Sequence, residues 1–488
     1  MSAAQELGAL LARAGRGPRI VVLPAPRLEP VSLLRASRKQ DAWLLERLPD
    51  GDDGGELVLG LGSALRTPLP ARGGEALTTH LAVGWARVVH PDADAELAAR
   101  LPLCLIGHAF APGASDEEPW SDHGDGQAVA PRWTYLARGE RAVLAYACEG
   151  EPFAGQTALV AAELETLLGA GGALGTPPRV PCRVSLDAER AALFHDRVEA
   201  AREAIARGEL GKVVCSRRAS AFSERDLEPE AILSRLGGEA ALRFLVRRGA
   251  STLVGATPER LFRKRGTHLR TEALAGTRAQ GSLAAEQSLL ASRKDIAEHA
   301  PVVEAIVSRL EALGAQVHAE ASPRLKRSAN VVHLRTAIDA ELTPDTSAVA
   351  LLDTLHPTPA VGGTPRERAG AFIVAHEPPR GWYSGPLGWV DALGDADVHV
   401  VLRCGVVRGA RAGVFAGGGI VASSDPQQEL VETELKMAPM LRAIGVPEDE
   451  TASRPEIPRV ETGRAETTRL EARPDVLRPE PARAEPRP

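Results

Sequence analysis

A long amphipathic helix followed directly by a strand is the feature that most constrains the fold of this chain. Over Leu186–Glu209, apolar residues recur at helical spacing, so that Phe194, Val198 and others of the series share one face. The segment Lys212–Ala219 follows at once and predicts a strand. From there to about Val446, patterns typical of strands and helices continue, with no repeat of fixed period. The second half of the chain therefore predicts a mixed structure of helices and strands.

Length and composition exclude several classes of protein. The chain has 488 residues, 44% of them hydrophobic, which is enough for two or three domains or one large duplicated one. A formal net charge of -6 argues against nucleic acid or an anionic membrane as a partner, because both require a basic surface. The five cysteines form no Cys-x-x-Cys pair, which fits free thiols in a reducing cytosol. Without an apolar run of membrane-spanning length, we expect a cytoplasmic protein.

The sequence divides into four segments. Residues 1–168 show mixed strand and helix patterns and form an N-terminal α/β part. Residues 169–181 are rich in Gly and Pro and predict a linker. Residues 182–446 carry the sharper patterns described above and hold the candidate site. Residues 447–488 have no aromatic residue and consist mainly of Pro, Arg, Glu and Thr, so we expect a disordered tail that cannot offset its ordering entropy.

Two predicted helices carry acidic pairs. In SRKDIAEHAPVVEAIVSRL, Asp295 and Glu298 are three residues apart and share one helix face. In the helix that starts at PQQELVETELK, Glu429 and Glu432 have the same spacing, with Lys436 one turn further. Two such helices could bind a hard divalent cation such as Mg²⁺, which prefers oxygen ligands. Spacing alone favours ordinary solvated helix faces, because charged faces are common.

Glycine-rich runs and isolated polar residues are also ambiguous when taken singly. The runs ALAGT (Ala273–Thr277) and AGGGIV (Ala416–Val421) could bring backbone N–H groups close to an anion. A tight turn or a bulge between strands is the simpler interpretation, and the GxGxxG spacing of a dinucleotide site is absent. Lys212 begins a strand, Glu259 follows the residues Ala-Thr-Pro, and Arg403 ends the strand predicted over DVHVVLR. Each has an ordinary structural explanation on its own.

In their order along the chain, these segments resemble the chorismate-utilising enzymes and, within them, the isochorismate synthases. The resemblance covers most of Leu186–Leu441, whereas the N-terminal part resembles the family only faintly. It implies an α+β fold in which two β-sheet subdomains pack face to face, with helices outside and an active-site cleft between them. The motifs that carry it are GKVVCSRR, FLVRRGASTLVGATPERLF, TEALAGTRAQG, SRKDIAEH, VVHLRTAI, LLDTLHPTPAVGG, RGWYSGPLGW, VHVVLRCG and AGGGIVASSDPQQELVETELK.

The resemblance also implies roles for individual residues. Glu298 and Glu432 would be the closest Mg²⁺ ligands, with Asp295 and Glu429 acting partly through water. Chorismate carries two carboxylates, which call for cationic and N–H partners. The residues that the resemblance assigns to substrate binding are Gly276, Thr277, His333, Tyr383, Arg403, Gly418, Gly419 and Lys436.

For catalysis, the resemblance makes Lys212 the base that activates water and Glu259 the acid that protonates the leaving hydroxyl. Both pKa values would have to move from their ordinary ranges near 10.4 and 4.3. Burial would lower the pKa of the lysine and raise that of the glutamic acid, so we expect a closed, dry cleft.

Two features favour one product within the family. Lys212 favours water as the nucleophile, because the ammonia-using anthranilate synthases lack a lysine there. The intact run His356–Gly363 (HPTPAVGG) is typical of isochorismate synthases rather than salicylate synthases. The prediction is therefore an isochorismate synthase, a monomer or homodimer that needs no amidotransferase partner. Salicylate synthase, an anthranilate or aminodeoxychorismate synthase component, and a catalytically silent chorismate-binding paralogue are the alternatives.

Overall fold

A computed structural model of the chain describes residues 3–13, 17–49, 54–69, 74–113, 115, 118–150, 156–170, 182–185, 188–237, 240–279, 283–328 and 331–447. Residues 171–181 of the predicted linker and 448–488 of the predicted tail lie outside these ranges. The division of the chain into four segments therefore stays a prediction.

The described residues form a mixture of helices and strands, as the sequence predicts. The helices are α1 Ala3–Arg13, α2 Pro30–Ala36, α3 Gly74–Leu81, α4 Ala95–Ala99, α5 Gln156–Gly169, α6 Ala188–Ala206, α7 Pro229–Arg235, α8 Leu283–Leu290, α9 Arg293–Ala312, α10 Ala348–Leu355, α11 Arg366–His376 and α12 Pro426–Ile444. The strands are β1 Arg19–Pro24, β2 Ala42–Arg47, β3 Glu56–Leu61, β4 Leu65–Pro68, β5 Ala86–Val89, β6 Cys104–His108, β7 Gly126–Ala130, β8 Trp133–Arg138, β9 Arg141–Cys148, β10 Cys182–Ser185, β11 Lys212–Ser223, β12 Leu242–Arg248, β13 Ser251–Thr257, β14 Arg260–Arg265, β15 His268–Ala279, β16 Gln316–Ala319, β17 Arg324–Ser328, β18 Val331–Glu341, β19 Gly363–Thr364, β20 Pro386–Val390, β21 Ala396–Val400, β22 Cys404–Arg408 and β23 Arg411–Ile420. In the described part of the chain, no helix combines the length and the apolar character needed to cross a membrane.

The described strands form two sheets. The larger has 13 strands, in the order β10-β11-β23-β22-β13-β12-β2-β3-β8-β9-β1-β5, with β19 also paired to β11. The smaller has ten, in the order β16-β18-β15-β14-β21-β20-β6-β7-β4, with β17 also paired to β18. Strands from the first and second halves of the chain take part in both sheets, so the two halves fold together.

The two sheets pack face to face around an apolar core that includes Trp43 of β2, Leu105 of β6 and Trp389 of β20. The outer face of the larger sheet is covered by α1, α5, α7 and α12, the last through Met437 and its neighbours. Helices α9 and α10 cover the smaller sheet, with Ile306 of α9 fully buried. Each fully buried apolar side chain contributes about 1.5–3 kcal/mol to the free energy that favours folding. This arrangement confirms the α+β fold of two packed sheets with outer helices.

Two of the points at which the chain crosses between the sheets are neighbours. Strand β13 of the larger sheet continues through Pro258 and Glu259 into β14 of the smaller sheet. Strand β21 of the smaller sheet continues through residues 401–403 into β22 of the larger sheet. The Val400 amide donates to the Glu259 carbonyl at 3.1 Å, and the Ala256 amide donates to the Arg403 carbonyl at 3.2 Å. These backbone hydrogen bonds hold the two crossovers together.

Candidate active site

A cavity of about 420 Å³ lies at these crossovers, and strands of both sheets and helices α9 and α12 form its wall. It brings together most of the residues that the sequence singles out. Those that line it are Lys212, Glu259, Gly276, Asp295, His333, Tyr383, Arg403, Gly419, Glu429, Glu432 and Lys436. The backbones of Thr277 and Glu298 belong to β15 and α9, but their side chains lie outside what the structure describes.

Lys212 is the first residue of β11 and is 6% exposed. The short strand β19 pairs with this end of β11, so that Lys212 lies opposite Thr364. In β19, Gly363 has φ +145°, and a Cβ there would lie 2.3 Å from the Lys212 carbonyl oxygen. Only glycine permits such an approach of two backbones. The last glycine of the HPTPAVGG run therefore positions the strand that carries Lys212.

A buried ion pair, which the sequence patterns did not indicate, secures the same edge of this strand next to β19. Arg380 donates from Nη2 to the Val214 carbonyl at 2.6 Å and from Nη1 to the Val361 carbonyl at 3.0 Å. Glu377 lies 2.7 Å from Arg380 Nε and accepts from the amide and hydroxyl of Ser216 at 2.8 and 2.6 Å. A buried charge is tolerated when it is paired and hydrogen-bonded in this way.

Glu259 lies in the first crossover and is 8% exposed. Burial, and next the charge of Glu272, raises its pKa to about 7, against the opposing effect of Lys326, Lys212 and Lys436. Burial favours the neutral form of a carboxyl because the charged form loses its hydration. A substantial fraction of Glu259 is therefore protonated at neutral pH.

Arg403 lies in the second crossover, and here the predicted strand is too long. The sequence predicts a strand over Asp397–Arg403, whereas β21 ends at Val400 and Arg403 has φ +50°. The alternating pattern was misleading because the chain leaves one sheet for the other within it. The turn lets Arg403 Nη1 donate to the Lys436 carbonyl at 3.3 Å, and burial lowers the pKa of Arg403 to about 10. Arg403 still carries a positive charge at neutral pH.

Tyr383 lines the same cavity as Arg403. It is buried and stacks on Phe415 of β23, with ring centroids 5.7 Å apart and an interplanar angle of 22°. Burial raises its pKa, so the phenol is neutral and can donate a hydrogen bond. Ser384, which follows with φ +66°, also lines the cavity and was not predicted to take part.

The triple-glycine run lies inside strand β23, so the prediction of a turn or bulge there is wrong. Gly418 and Gly419 pair with Cys215 and Val214 of β11. A Cβ at Gly418 would lie 2.5 Å from Glu429 Oε2, and one at Gly417 would lie 2.9 Å from the Cys215 carbonyl oxygen. The glycines therefore leave room for the Glu429 side chain beside an extended strand.

Asp295 and Gly276 approach each other where α9 begins. Ser292 caps this helix by accepting from the Asp295 amide, and Asp295 Oδ2 lies 3.0 Å from Arg278 Nη2. Gly276 has φ +71° and lies at a bulge in β15, between Ala275 and Thr277. A Cβ at Gly276 would lie 3.3 Å from the Asp295 Cβ, so this glycine allows a close approach of strand and helix. Arg278 lines the cavity as a cation that was not predicted.

The second acidic helix, α12, presents Glu429, Glu432 and Lys436 to the cavity. Glu429 Oε1 accepts from the Ser424 hydroxyl at 2.8 Å. Glu432 Oε1 lies 2.6 Å from Lys436 Nζ, which also donates to the Gly417 carbonyl at 2.8 Å. Aspartate and glutamate oxygens from two helices are the donors that Mg²⁺ prefers. Among the described side chains, no three acidic, histidine or cysteine groups lie close enough together to hold a metal ion.

Two buried histidines, His333 in the cavity wall and His299 of α9, are neutral at physiological pH. Burial, followed by the charges of Arg403 and Lys436, holds the pKa of His333 well below its ordinary value. Burial and the charge of Lys212 lower the pKa of His299 to about 4. His299, which was not among the predicted site residues, shares a 2.8 Å hydrogen bond with Thr336 Oγ1. Both rings can therefore act as hydrogen-bonding groups without adding charge.

The cavity combines cationic side chains with acidic ones. Arg278, Arg403 and Lys436 line it beside Asp295, Glu429 and Glu432, and the partly protonated Glu259 lies in the same wall as Lys212. The cations suit a small molecule that carries negative charge, on which proton transfer can take place.

Comparison with known proteins agrees with this description. The family of chorismate binding enzymes matches the chain over residues 19–445. A salicylate biosynthesis isochorismate synthase of Pseudomonas aeruginosa is 37% identical over 354 residues, 70% of this chain and 74% of that protein. The isochorismate synthase MenF of Bacillus subtilis is 34% identical over 256 residues, 51% of this chain and 54% of that protein. The structure of the menaquinone-specific isochorismate synthase MenF from Escherichia coli covers 91% of this chain and 99% of that chain, with a TM-score of 0.73 and 26% identity. The chain belongs to the family of chorismate binding enzymes.

Proposed function

We propose that this protein is an isochorismate synthase, which converts chorismate into isochorismate. The observation that carries the proposal is the single cavity that holds Lys212 and Glu259 together with the cations Arg403 and Lys436. The similarity to three isochorismate synthases supports the same reaction.

Substrate binding follows from the two carboxylates of chorismate. Arg403 and Tyr383 bind the enolpyruvyl carboxylate, because a guanidinium and a neutral phenol both donate to carboxylate oxygens. Lys436 and the backbone at Gly276 bind the ring carboxylate. His333 contributes a neutral hydrogen-bonding group, consistent with its lowered pKa. Thr277, Gly418 and Gly419 complete the proposed set, and Gly419 lines the cavity.

The reaction exchanges one hydroxyl position for another. Lys212 takes a proton from a water molecule, whose oxygen forms a bond to one ring carbon. The ring double bonds shift, and the C–O bond at a second ring carbon breaks. Glu259 gives its proton to the departing hydroxyl, which leaves as water. A pKa of about 7 for Glu259 supports the role of proton donor at neutral pH.

Mg²⁺ is the cofactor in this proposal. Glu298 and Glu432 would hold it directly, and Asp295 and Glu429 partly through water. When bound, Mg²⁺ neutralises the ring carboxylate and fixes the ring in position. Asp295, Glu429 and Glu432 support the assignment because they line the same cavity from two helices.

Because water is the nucleophile, the proposal requires no glutamine amidotransferase subunit. The protein would act in the cytoplasm as a monomer or homodimer. The test is chromatographic analysis of the product from chorismate and Mg²⁺, with and without ammonium salts and with a chelator as a control. The proposal predicts isochorismate, independent of ammonium and lost with the chelator. Formation of salicylate with pyruvate would contradict this assignment, and so would formation of an aryl amine only when ammonium is present. Either product would indicate another activity of the family.

A further inference from the structure

A second buried carboxylate, Glu272, lies near enough to Glu259 to affect its charge and has no role in the reaction described above. Glu272 is 9% exposed and lies on β15. Its Oε1 is 2.5 Å from Lys326 Nζ, and its Oε2 is 2.6 Å from Arg335 Nε. Both carboxylate oxygens therefore have a cationic partner.

The three side chains share one face of the smaller sheet. Strands β15, β18 and β17 are neighbours in that order. Lys326 lies opposite His333, Arg335 is two residues further along β18, and Glu272 lies opposite Ala337. Because residues two apart in a strand point to the same face, this cluster shares the face of His333, which lines the cavity.

Lys326 connects the cluster to the proton donor. Besides its ion pair, its Nζ donates to the carbonyl oxygen of Pro258 at 2.9 Å, and Pro258 directly precedes Glu259 in the crossover. One lysine thus joins the backbone that carries Glu259 to the carboxylate of Glu272. We propose that the Glu272–Lys326 ion pair positions Glu259 and sets the fraction of its carboxyl group that is protonated.

The two members of the pair act on Glu259 in opposite directions. Glu272 raises the pKa of Glu259, whereas Lys326 lowers it. Burial raises the pKa of Glu272 itself, but Lys326 and Arg335 more than offset this, so Glu272 stays ionised at neutral pH. Removing either member would therefore move the titration of Glu259, each in its own direction. The charged groups that act on Glu259 are Glu272 of β15, Lys326 of β17, Lys212 of β11 and Lys436 of α12.

This inference deepens the proposed function and rests on it, because the proposed reaction gives the proton of Glu259 its role. The experiment compares Glu272→Gln and Lys326→Met with the wild type. Glutamine keeps the size of the side chain and one acceptor oxygen for Lys326 or Arg335, and Arg335 still pairs with Glu272 when Lys326 is replaced. Glu286→Gln is a matched control, because Glu286 is also buried and lies 2.6 Å from the guanidinium of Arg327, the residue next to Lys326.

Two measurements are made on each protein. The first is kcat for isochorismate formation against pH. The second is the infrared band of the protonated Glu259 carboxyl against pH, identified by its loss in Glu259→Gln. We expect both titrations to move to lower pH in Glu272→Gln and to higher pH in Lys326→Met, with Glu286→Gln unchanged. If the midpoint of Glu272→Gln lies one pH unit below that of the wild type, its kcat on the alkaline side should be lower by up to about tenfold.

Shifts in the same direction, or no shift in either variant, would overturn the inference and leave a purely structural cluster. The infrared titration needs no turnover. A wild-type protein that forms no isochorismate would therefore refute the proposed function while the infrared result still decides the role of the Glu272–Lys326 pair.

Discussion

Lys436 and Glu432 form an ion pair one turn apart on α12, with Nζ and Oε1 separated by 2.6 Å. The pair places a proposed substrate-binding cation next to a proposed metal ligand. We expect Lys436→Met to raise KM for chorismate by roughly 10- to 100-fold, since a hydrogen bond to a charged group contributes about 1.5–3 kcal/mol. Steady-state kinetics on Lys436→Met measure this effect.

The matched control is Arg442→Met, which removes a cation from the same helix without changing the cavity wall. Its KM should equal that of the wild type. A KM for Lys436→Met within twofold of the wild-type value would rule out contact between this lysine and the substrate.

Lys212→Met should lower kcat by about 10²- to 10⁴-fold, the usual contribution of a general base. Chorismate binding, measured by calorimetry, should weaken far less, because Arg403 and Lys436 remain. Lys264→Met serves as the comparison, since Lys264 is similarly buried, at 8%, and donates to the Gly394 carbonyl away from the cavity. Equal losses of kcat in the two variants would show that Lys212 has only a structural role.

The raised pKa of Glu259 predicts how the rate depends on pH. Because Glu259 must be protonated to donate, kcat should decline as pH rises through about 7. Glu259→Gln should remove this decline and lower kcat by about 10²- to 10⁴-fold. A wild-type kcat that stays constant from pH 6 to pH 9 would contradict the assignment.

The raised pKa of Glu259 also has a consequence for stability. A carboxyl whose pKa rises from 4.5 to about 7 on folding binds more protons in the folded state within that range. Glu259 therefore lowers the free energy of unfolding as pH rises from about 4.5 to 7. Chemical denaturation should show this loss in the wild type and a smaller one in Glu259→Gln.

Sequence patterns were sufficient to predict the helices that carry the site. The helices predicted over Leu186–Glu209 and in SRKDIAEHAPVVEAIVSRL correspond to α6 and α9, because apolar periodicity is a local signal. Ordered motifs predicted which residues meet at the cavity. Local patterns failed at Arg403, since no local signal marks the point where a chain leaves one sheet for another.

Contacts between distant parts of the chain account for what the sequence did not reveal. Arg380 reaches Val214 across 166 positions, and Lys326 reaches Glu272 across 54. Charged residues at such positions look like ordinary surface residues until the sheets pack. Their burial and pairing exist only in the folded protein.

Gly363→Ala tests how the HPTPAVGG run positions Lys212. The new Cβ would lie 2.3 Å from the Lys212 carbonyl oxygen, at a backbone angle that favours glycine. We expect a loss of about 1–3 kcal/mol in the free energy of unfolding, with a lower kcat. Thermal unfolding and kinetics measure both.

Gly370→Ala is the control, because this glycine lies within α11 and has no atom within 4 Å of a new Cβ. Alanine there should stabilise the protein by about 0.5–1 kcal/mol. If both variants behaved alike, a close approach of β19 to Lys212 would be excluded.

Isotope labelling tests most directly the central claim that water supplies the new hydroxyl group. Chorismate is converted in water enriched in ¹⁸O, and the product is analysed by mass spectrometry. The proposed reaction predicts isochorismate with one ¹⁸O atom in its new hydroxyl group, formed at the same rate whether or not ammonium is present. Isochorismate without ¹⁸O, or a product that contains nitrogen from ammonium, would contradict it.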